Sequence, residues 1–179
     1  MRLSQVLLFA VLTSASLTSG QDNTAVTQLN ANLQEYLKIR ARAAEGLPKA
    51  KQLTNDPKEI EKRQRALAAA VQVERGDAKQ GDIFSPDVRK YLGGIIRGEA
   101  KGATKEATRE GNPKDEGAPV PIGVNKPYPK GAPLSTMPPD LLLKLPQLPK
   151  DLQYRFVGET LILFDSLSGL IVDYIPNTM

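Results

Sequence analysis

The chain of 179 residues contains no cysteine, no histidine and no tryptophan, and only 5% of its residues are aromatic. Without cysteine, an exported domain cannot be held together by disulfides, so its stability has to come from packing alone. Without cysteine and histidine there is no Ser-His-Asp or Cys-His constellation, and no zinc site of the usual nitrogen or sulfur ligands. These absences exclude most common hydrolase mechanisms. The scarcity of aromatic side chains also argues against a sugar-binding cleft.

Sequence motifs for nucleotide binding and nucleophilic catalysis are missing as well. The chain has no G-x-x-x-x-G-K-[ST], no G-x-G-x-x-G after a strand, no G-x-S-x-G and no S-x-x-K. Asp77, Asp82 and Asp87 lie around Gly81 in one loop, which suggests calcium, but their spacing does not match the alternating ligands of an EF-hand loop. Helix capping and turn formation account for Asp82 and Asp87. We therefore name no catalytic, metal-binding or cofactor-binding residue and expect no cofactor.

The N-terminal residues have the pattern of an export signal. Arg2 provides a positive start, Val6–Leu12 an apolar stretch, and Thr13–Gly20 a run of small residues in which cleavage could follow Ser16 or Gly20. A membrane anchor needs about 20 consecutive apolar residues, and Thr13 interrupts the run too early. We predict that residues 1–20 are a cleaved signal peptide and that the mature protein is periplasmic or secreted, in a bacterial envelope.

Residues 21–102 are predicted to be helical, with about three helices. From Thr24 to Ala44, apolar residues recur at intervals of three and four, and Gly46-Leu-Pro48 ends this first helix. The second helix begins with Asp56 as N-cap, Pro57 at the first position and Glu59 at the third, and its inner face should carry Ile60, Leu67 and Val71.

The third helix is predicted to begin at Pro86, with Ser85 as its cap and Asp87 complementing the helix dipole. Its apolar stripe consists of Val88, Tyr91, Leu92, Ile95 and Ile96. Gly93, Gly94 and Gly98 weaken this helix by about 1 kcal/mol each relative to Ala. They indicate either the close approach of another element or simple fraying.

Residues 103–138 are predicted to be a linker rich in proline and glycine. Ten of the fourteen prolines fall between Pro113 and Pro149, a composition typical of extended, polyproline-like chain. A semi-rigid spacer is favoured over a Pro-x-x-Pro docking motif. We expect limited proteolysis to cut first between Ala103 and Ser135.

Residues 139–179 are predicted to form a short helix and a small three-stranded antiparallel β-meander. Pro139–Leu145 gives one or two helical turns whose four leucines anchor the linker to the sheet. In QYRFVGETLILFDSLSGLIVDYIP, Gly158 suits a type II′ turn and Gly169 an αL position in a longer turn. The leucines of these strands require a cover on at least one face. The predicted fold class is α+β.

The run from Tyr154 to Asp173 resembles the C-terminal β-segment of RcnB-type periplasmic proteins. The shared features lie within a C-terminal segment of about 25 residues: a Tyr-Arg-aromatic strand, a glycine turn, an aliphatic strand and a second turn of small residues before a last aliphatic strand. The G-D-I-F-x-P-x-V junction, Gly81 to Val88, is similar to one in uncharacterised exported bacterial proteins. The resemblance implies an exported compartment and a hairpin. It also implies nickel or cobalt handling, for which this chain has no histidine.

The charge balance of the chain limits its partners. With 24 basic and 20 acidic residues, the formal net charge is +4, and the charges are interspersed. This is not the clustered basic stripe of a nucleic-acid-binding protein. We expect a non-enzymatic binding or structural module that contacts an unknown envelope component, either a protein or an anionic polymer, with peripheral membrane contact as a further possibility. The alternative is a carboxylate-dependent hydrolase of an envelope polymer, which needs two acidic side chains converging in a concave pocket.

Overall fold

The protein is α+β, as predicted. A computed structural model describes residues 18–48, 55–99, 106, 112 and 120–179. Its helices are α1 (Thr18–Glu45), α2 (Pro57–Glu74), α3 (Pro86–Glu99) and α4 (Pro139–Lys144). Its strands are β1 (Lys126–Pro127), β2 (Leu152–Val157), β3 (Thr160–Asp165) and β4 (Leu170–Ile175). The predicted meander corresponds to β2, β3 and β4, and the very short β1 extends it.

The sheet is antiparallel throughout, with the order β1-β4-β3-β2. Val157 pairs with Thr160, which leaves a two-residue turn in which Gly158 has φ +60°. Gly169 has φ +70° in the second turn. Both glycines therefore have the positive φ that the sequence predicted for their turns.

A β-bulge interrupts the pairing of β3 with β4. Leu163 pairs with Asp173 and Phe164 with Ile171, so Val172 has no partner across the ladder. An extra residue in one strand shifts the alternation of side chains between the two faces. Consequently, the side chains of Val172 and Asp173 both lie on the face of the sheet that packs against the helices.

One hydrophobic core joins the helices to the sheet. Each of the first three helices contributes residues at helical spacing, and β2, β3 and β4 contribute alternate side chains to the same cluster. The buried helix positions include Leu29, Leu33 and Tyr36 in α1, Ala68 and Val71 in α2, and Val88, Leu92 and Ile96 in α3. The helical region and the C-terminal sheet therefore pack together around one core.

The predicted start of α2 is confirmed, but part of its predicted inner face is not. Asp56 is the N-cap and its side chain accepts a hydrogen bond from the Lys58 amide, with Pro57 as the first helical residue. Ile60 is 51% exposed, whereas Leu67 is half-buried and Val71 is buried. Along this stripe, the side chains are therefore less buried towards the N-terminus of α2.

The glycines of α3 do not admit another element. A Cβ at Gly94 or Gly98 would meet no atom within 4 Å, and one at Gly93 would meet Arg97 of the same helix. Of the two interpretations made from the sequence, close approach of a neighbouring element is not observed.

Residues 120–138, here called the strap, pack on the sheet and differ from the predicted spacer. Side chains of Val120, Ile122 and Tyr128 cover the face opposite the helices, over the cluster Val157, Ile162, Phe164 and Ile171. Every side chain of β3 from Leu161 onward is buried, so the sheet needs a cover on both faces. Of the remaining linker residues, 103–105, 107–111 and 113–119 lie outside the described part of the chain.

The strap also closes the free edge of β2. Ser135 Oγ accepts from the Phe156 amide and donates to the Phe156 carbonyl, both at 2.8 Å. The side chain of Asn112 binds the neighbouring turn in the same way. Its Oδ1 accepts from the Gly158 amide, and its Nδ2 donates to the Gly158 carbonyl. Prolines suit such a path because they have no N–H to satisfy.

Helix α4 has the predicted length, but only two of the four leucines that were predicted to anchor the chain are buried. Leu141 and Leu145 are buried, whereas Leu142 and Leu143 are exposed. Lys144 forms an ion pair of 2.6 Å with Glu99 at the end of α3, so α4 docks against that helix as well.

Helix α1 begins at Thr18, six residues before the periodic pattern becomes visible in the sequence. The predicted signal peptide, residues 1–20, lies mostly outside the described residues. Among the helices that the structure describes, none is long and apolar enough to cross a membrane.

Candidate binding cleft

A cleft of about 450 Å³ lies between α1 and the loop that follows α2. We call it the α1–α2 cleft. Its lining residues are Asn32, Glu35, Tyr36, Ile39, Val73, Glu74, Arg75, Gly76, Asp77, Ala78, Asp82 and Ile83. The sequence predicted no site residue here or elsewhere, so the cleft has to be assessed from its geometry.

Arg75, at the C-terminal cap of α2, is the buried charge of the cleft. Its side chain is only 6% exposed, and its guanidinium carbon lies 5.0 Å from the centre of the Tyr36 ring. Nη1 donates to Asn125 Oδ1 at 2.7 Å and to the Val172 carbonyl at 3.3 Å. Burial lowers the pKa of Arg75, while the charges of Asp173 and Asp82 oppose this shift. An arginine remains charged in such surroundings.

The guanidinium of Arg75 is only partly satisfied by the protein. It forms no ion pair with any carboxylate among the described residues, and Nε and Nη2 have no acceptor there. Within the same residues, the only buried side-chain polar atom that lacks a partner is Tyr154 Oη. Nε and Nη2 therefore keep contact with solvent. Because Arg75 lines the α1–α2 cleft, we place that contact in the cleft.

The strap holds this arginine in position. Asn125 lies in the αL region, with φ +58°, and its Nδ2 donates back to the Arg75 carbonyl at 2.8 Å. Gln72 Nε2 donates to the Asn125 carbonyl at 2.8 Å. Asn is one of the few residues that adopt αL readily. The two-way bond between Asn125 and Arg75 fixes the end of α2 to the sheet.

Four exposed carboxylates line the cleft, and we call them its rim: Glu35, Glu74, Asp77 and Asp82. Glu35 is paired with Lys38 at 3.5 Å and Glu74 with Arg42 at 3.8 Å, both near the surface. Asp82 accepts a hydrogen bond from the Lys79 amide in its own turn, which confirms its predicted turn role. Asp77 has no hydrogen bond or ion pair with the described residues. In the described part of the chain, no group of three or more acidic side chains could hold a metal ion.

Asp165 is a fully buried carboxylate that is saturated by hydrogen bonds. Tyr36 Oη donates to it at 2.5 Å, Arg40 Nη1 at 2.9 Å and Ser168 Oγ at 2.9 Å, and the Leu167 amide adds a fourth bond at 3.0 Å. Arg40 also approaches Asp151 at 3.9 Å. A carboxylate with every acceptor site used is a structural anchor, since no position remains for a substrate proton.

Asp173, also fully buried, holds the loop before α3. It accepts from the amides of Gly81, Ile83 and Phe84 at 2.8 to 3.1 Å. Gly81 has φ +96°, a conformation that favours glycine. The G-D-I-F junction seen in the sequence is therefore a backbone cradle for a carboxylate that lies about 90 residues later in the chain.

Sequence reasoning missed Arg75, Asn125, Asp165 and Asp173. The two aspartates are detectable in principle, because each interrupts or ends an apolar strand. Arg75 gives no such signal, since Val-Glu-Arg-Gly-Asp is typical of a solvated helix end. Its burial depends on Asn125 and Val172, which are distant in the sequence.

What the cleft can do chemically follows from these groups. It offers one partly unsatisfied guanidinium, an aromatic ring, several apolar side chains and an acidic rim, which is a set suited to binding. Its described lining residues include no paired nucleophile and base. Comparisons of the chain with family models, with curated proteins and with solved structures gave no match.

Proposed function

We propose that this protein is an exported bacterial envelope protein that binds its ligand or partner in the α1–α2 cleft without catalysing a reaction. The observation that carries the proposal is Arg75, a buried residue at a cleft whose guanidinium has two nitrogens without an acceptor among the described residues. A ligand oxygen that replaces solvent at these nitrogens would form charge-assisted hydrogen bonds, which are stronger in a partly buried site than in water.

The alternative, a carboxylate-dependent hydrolase, draws support from the four acidic residues of the rim. General acid catalysis by a carboxyl group at neutral pH requires a pKa raised by burial or by a neighbouring negative charge. The rim carboxylates are exposed, and two of them pair with cations. The two buried carboxylates, Asp165 and Asp173, have no free acceptor site. Binding without catalysis therefore agrees better with the geometry.

The binding proposal can be tested by filling the cleft. Val73 lines the cleft and is 81% exposed, so Val73→Arg places a bulky cation at the opening without disturbing the core. Leu143→Arg is the matched control, because Leu143 is 85% exposed on α4 and does not line the cleft. Affinity capture from envelope extracts should recover a component with the wild-type protein and with Leu143→Arg, and much less of it with Val73→Arg.

Equal recovery by all three proteins would contradict the cleft as the binding site. Release of fragments from an envelope polymer by the purified protein, abolished in Glu74→Gln, would instead favour the hydrolase.

A further inference from the structure

We propose that the α1–α2 cleft binds a zwitterion of amino-acid or dipeptide size, with its carboxylate on Arg75 and its ammonium group among the rim carboxylates. This inference rests on the proposed function and adds the chemical class of the ligand. Both halves of the ligand follow from charges that line the same cleft.

The carboxylate half is indicated by Arg75. A guanidinium offers its donors in a planar fork that matches a carboxylate, and such bonds are stronger away from water. Here the fork is already oriented: Nη1 donates to Asn125 Oδ1, and the guanidinium carbon lies 5.0 Å from the centre of the Tyr36 ring. Nε and Nη2 remain available, and these two nitrogens form one edge of the fork.

The ammonium half is indicated by the rim. Among the described residues, four carboxylates and one arginine line the cleft, a formal charge of −4 + 1 = −3 before the ion pairs of Glu35 with Lys38 and of Glu74 with Arg42 are counted. The net charge of the whole chain is +4. Asp77 has no partner among the described residues, and Asp82 is bound only by a turn amide. A polyanion would face all four carboxylates, and a simple cation would face Arg75. A ligand with one charge of each sign is complementary to both parts.

The size of the ligand follows from the cleft volume. A cavity of about 450 Å³ lies at the lower end of the range of small-molecule sites. Ile39, Val73 and Ile83 add apolar surface to the lining of the same cleft. This surface suits the aliphatic part of an amino acid or dipeptide.

The experiment uses three probes that share the alanyl-alanine framework and differ in the charge of one end: alanyl-alanine, its N-acetyl derivative and its C-terminal amide. Binding to the full-length protein is measured by calorimetry and by the NMR signal of the Arg75 Nε–H. We expect alanyl-alanine to bind at least tenfold more tightly than either blocked form and to shift the Arg75 signal. Asp77→Asn should weaken its binding several-fold, whereas Glu59→Gln, an exposed change outside the cleft, should not.

Equal affinity for the three probes would overturn the proposal. So would binding of alanyl-alanine that leaves the NMR signal of the Arg75 Nε–H unchanged. Neither the affinities nor the NMR signal requires an Arg75 variant. Such a variant would remove a buried cation and could unfold the protein. If no probe binds while capture from the envelope extract still depends on Val73, the zwitterion is wrong and the binding function stands. If capture is independent of Val73 but alanyl-alanine binds as expected, the ligand class stands and the envelope partner is wrong.

Discussion

Tyr36 and Tyr154 are buried on the same side of the sheet but differ in what their hydroxyl groups contact. Tyr36 Oη donates to the Asp165 carboxylate, whereas Tyr154 Oη is buried without a hydrogen-bond partner among the described residues. Burial raises the pKa of both phenols. The ring of Tyr154 is still well placed, since it stacks on Phe84 at 6.4 Å. We therefore expect the two hydroxyl groups to contribute differently to the free energy of unfolding.

This difference predicts opposite effects of one substitution. Tyr36→Phe should lower the free energy of unfolding by about 1.5–3 kcal/mol, the usual worth of a hydrogen bond to a charged group. Tyr154→Phe should leave it unchanged or raise it by about 1 kcal/mol, because an unsatisfied buried hydroxyl is removed. Urea denaturation at neutral pH measures both. A large loss in Tyr154→Phe would mean that its hydroxyl has a partner, such as an ordered water molecule.

Two glycines in turns have nearly the same φ but different surroundings. Gly169, between β3 and β4, has φ +70°, and Gly131, in the strap, has φ +77°. A Cβ at Gly169 would lie 3.1 Å from the side chain of Gln64, while one at Gly131 would meet nothing within 4 Å. Gln64 donates to the Ser166 carbonyl at 3.0 Å and so connects α2 to this turn.

Replacing each glycine by alanine separates backbone strain from packing. Gly131→Ala should cost about 1–2 kcal/mol, the penalty of a positive φ for a residue with a Cβ. Gly169→Ala should cost more, since Gln64 has to move and its bond to Ser166 is disturbed. Thermal or urea unfolding of the two variants gives the comparison. An equal loss would show that Gln64 yields without cost.

The elements that the sequence predicted well are those specified by local signals. Pro57 and Pro86 begin their helices where proline at the first position was expected, and Gly158 has the turn conformation that its neighbours required. The strap was misjudged because proline content describes the backbone and not what the backbone lies against. Its docking depends on a second apolar face of the sheet, which is visible only once β3 is placed between β2 and β4.

The candidate site was beyond the reach of sequence reasoning for a related reason. Arg75 becomes a buried cation only because Asn125 and Val172 converge on it from the strap and from β4. The same holds for Asp173, whose role depends on the bulge at Val172. No local sequence pattern predicts contacts between positions that lie 50 to 100 residues apart.

The predicted cleavage after residue 20 lies before the point at which α1 begins to contribute to the core. Although α1 starts at Thr18, its first buried side chain in the described residues is Ala25. Removal of residues 1–20 therefore leaves every described buried contact of α1 in place. The fold and the proposed cleavage are compatible.

Export is tested by fusing residues 1–20 to a reporter that is active only outside the cytoplasm. The fusion should give activity, and the mature protein recovered from the envelope should begin near Gln21. The matched control is the same fusion with Leu8→Arg, which interrupts the apolar stretch and should abolish the signal. Recovery of protein that still carries Met1 from envelope fractions would contradict cleavage.

The bond between Asp173 and the Gly81–Phe84 loop also sets an order of events during synthesis. The loop and α3 are complete by residue 99, but three amides of the loop wait for a carboxylate at residue 173. At roughly 5–20 residues per second, the 173 − 99 = 74 residues between them take roughly 4 to 15 seconds to synthesise. Until then β4 is incomplete and the loop lacks the acceptor that it has in the folded protein. We therefore expect a chain truncated before position 173 to be less stable than the whole chain, because the amides of Gly81, Ile83 and Phe84 lose their common acceptor.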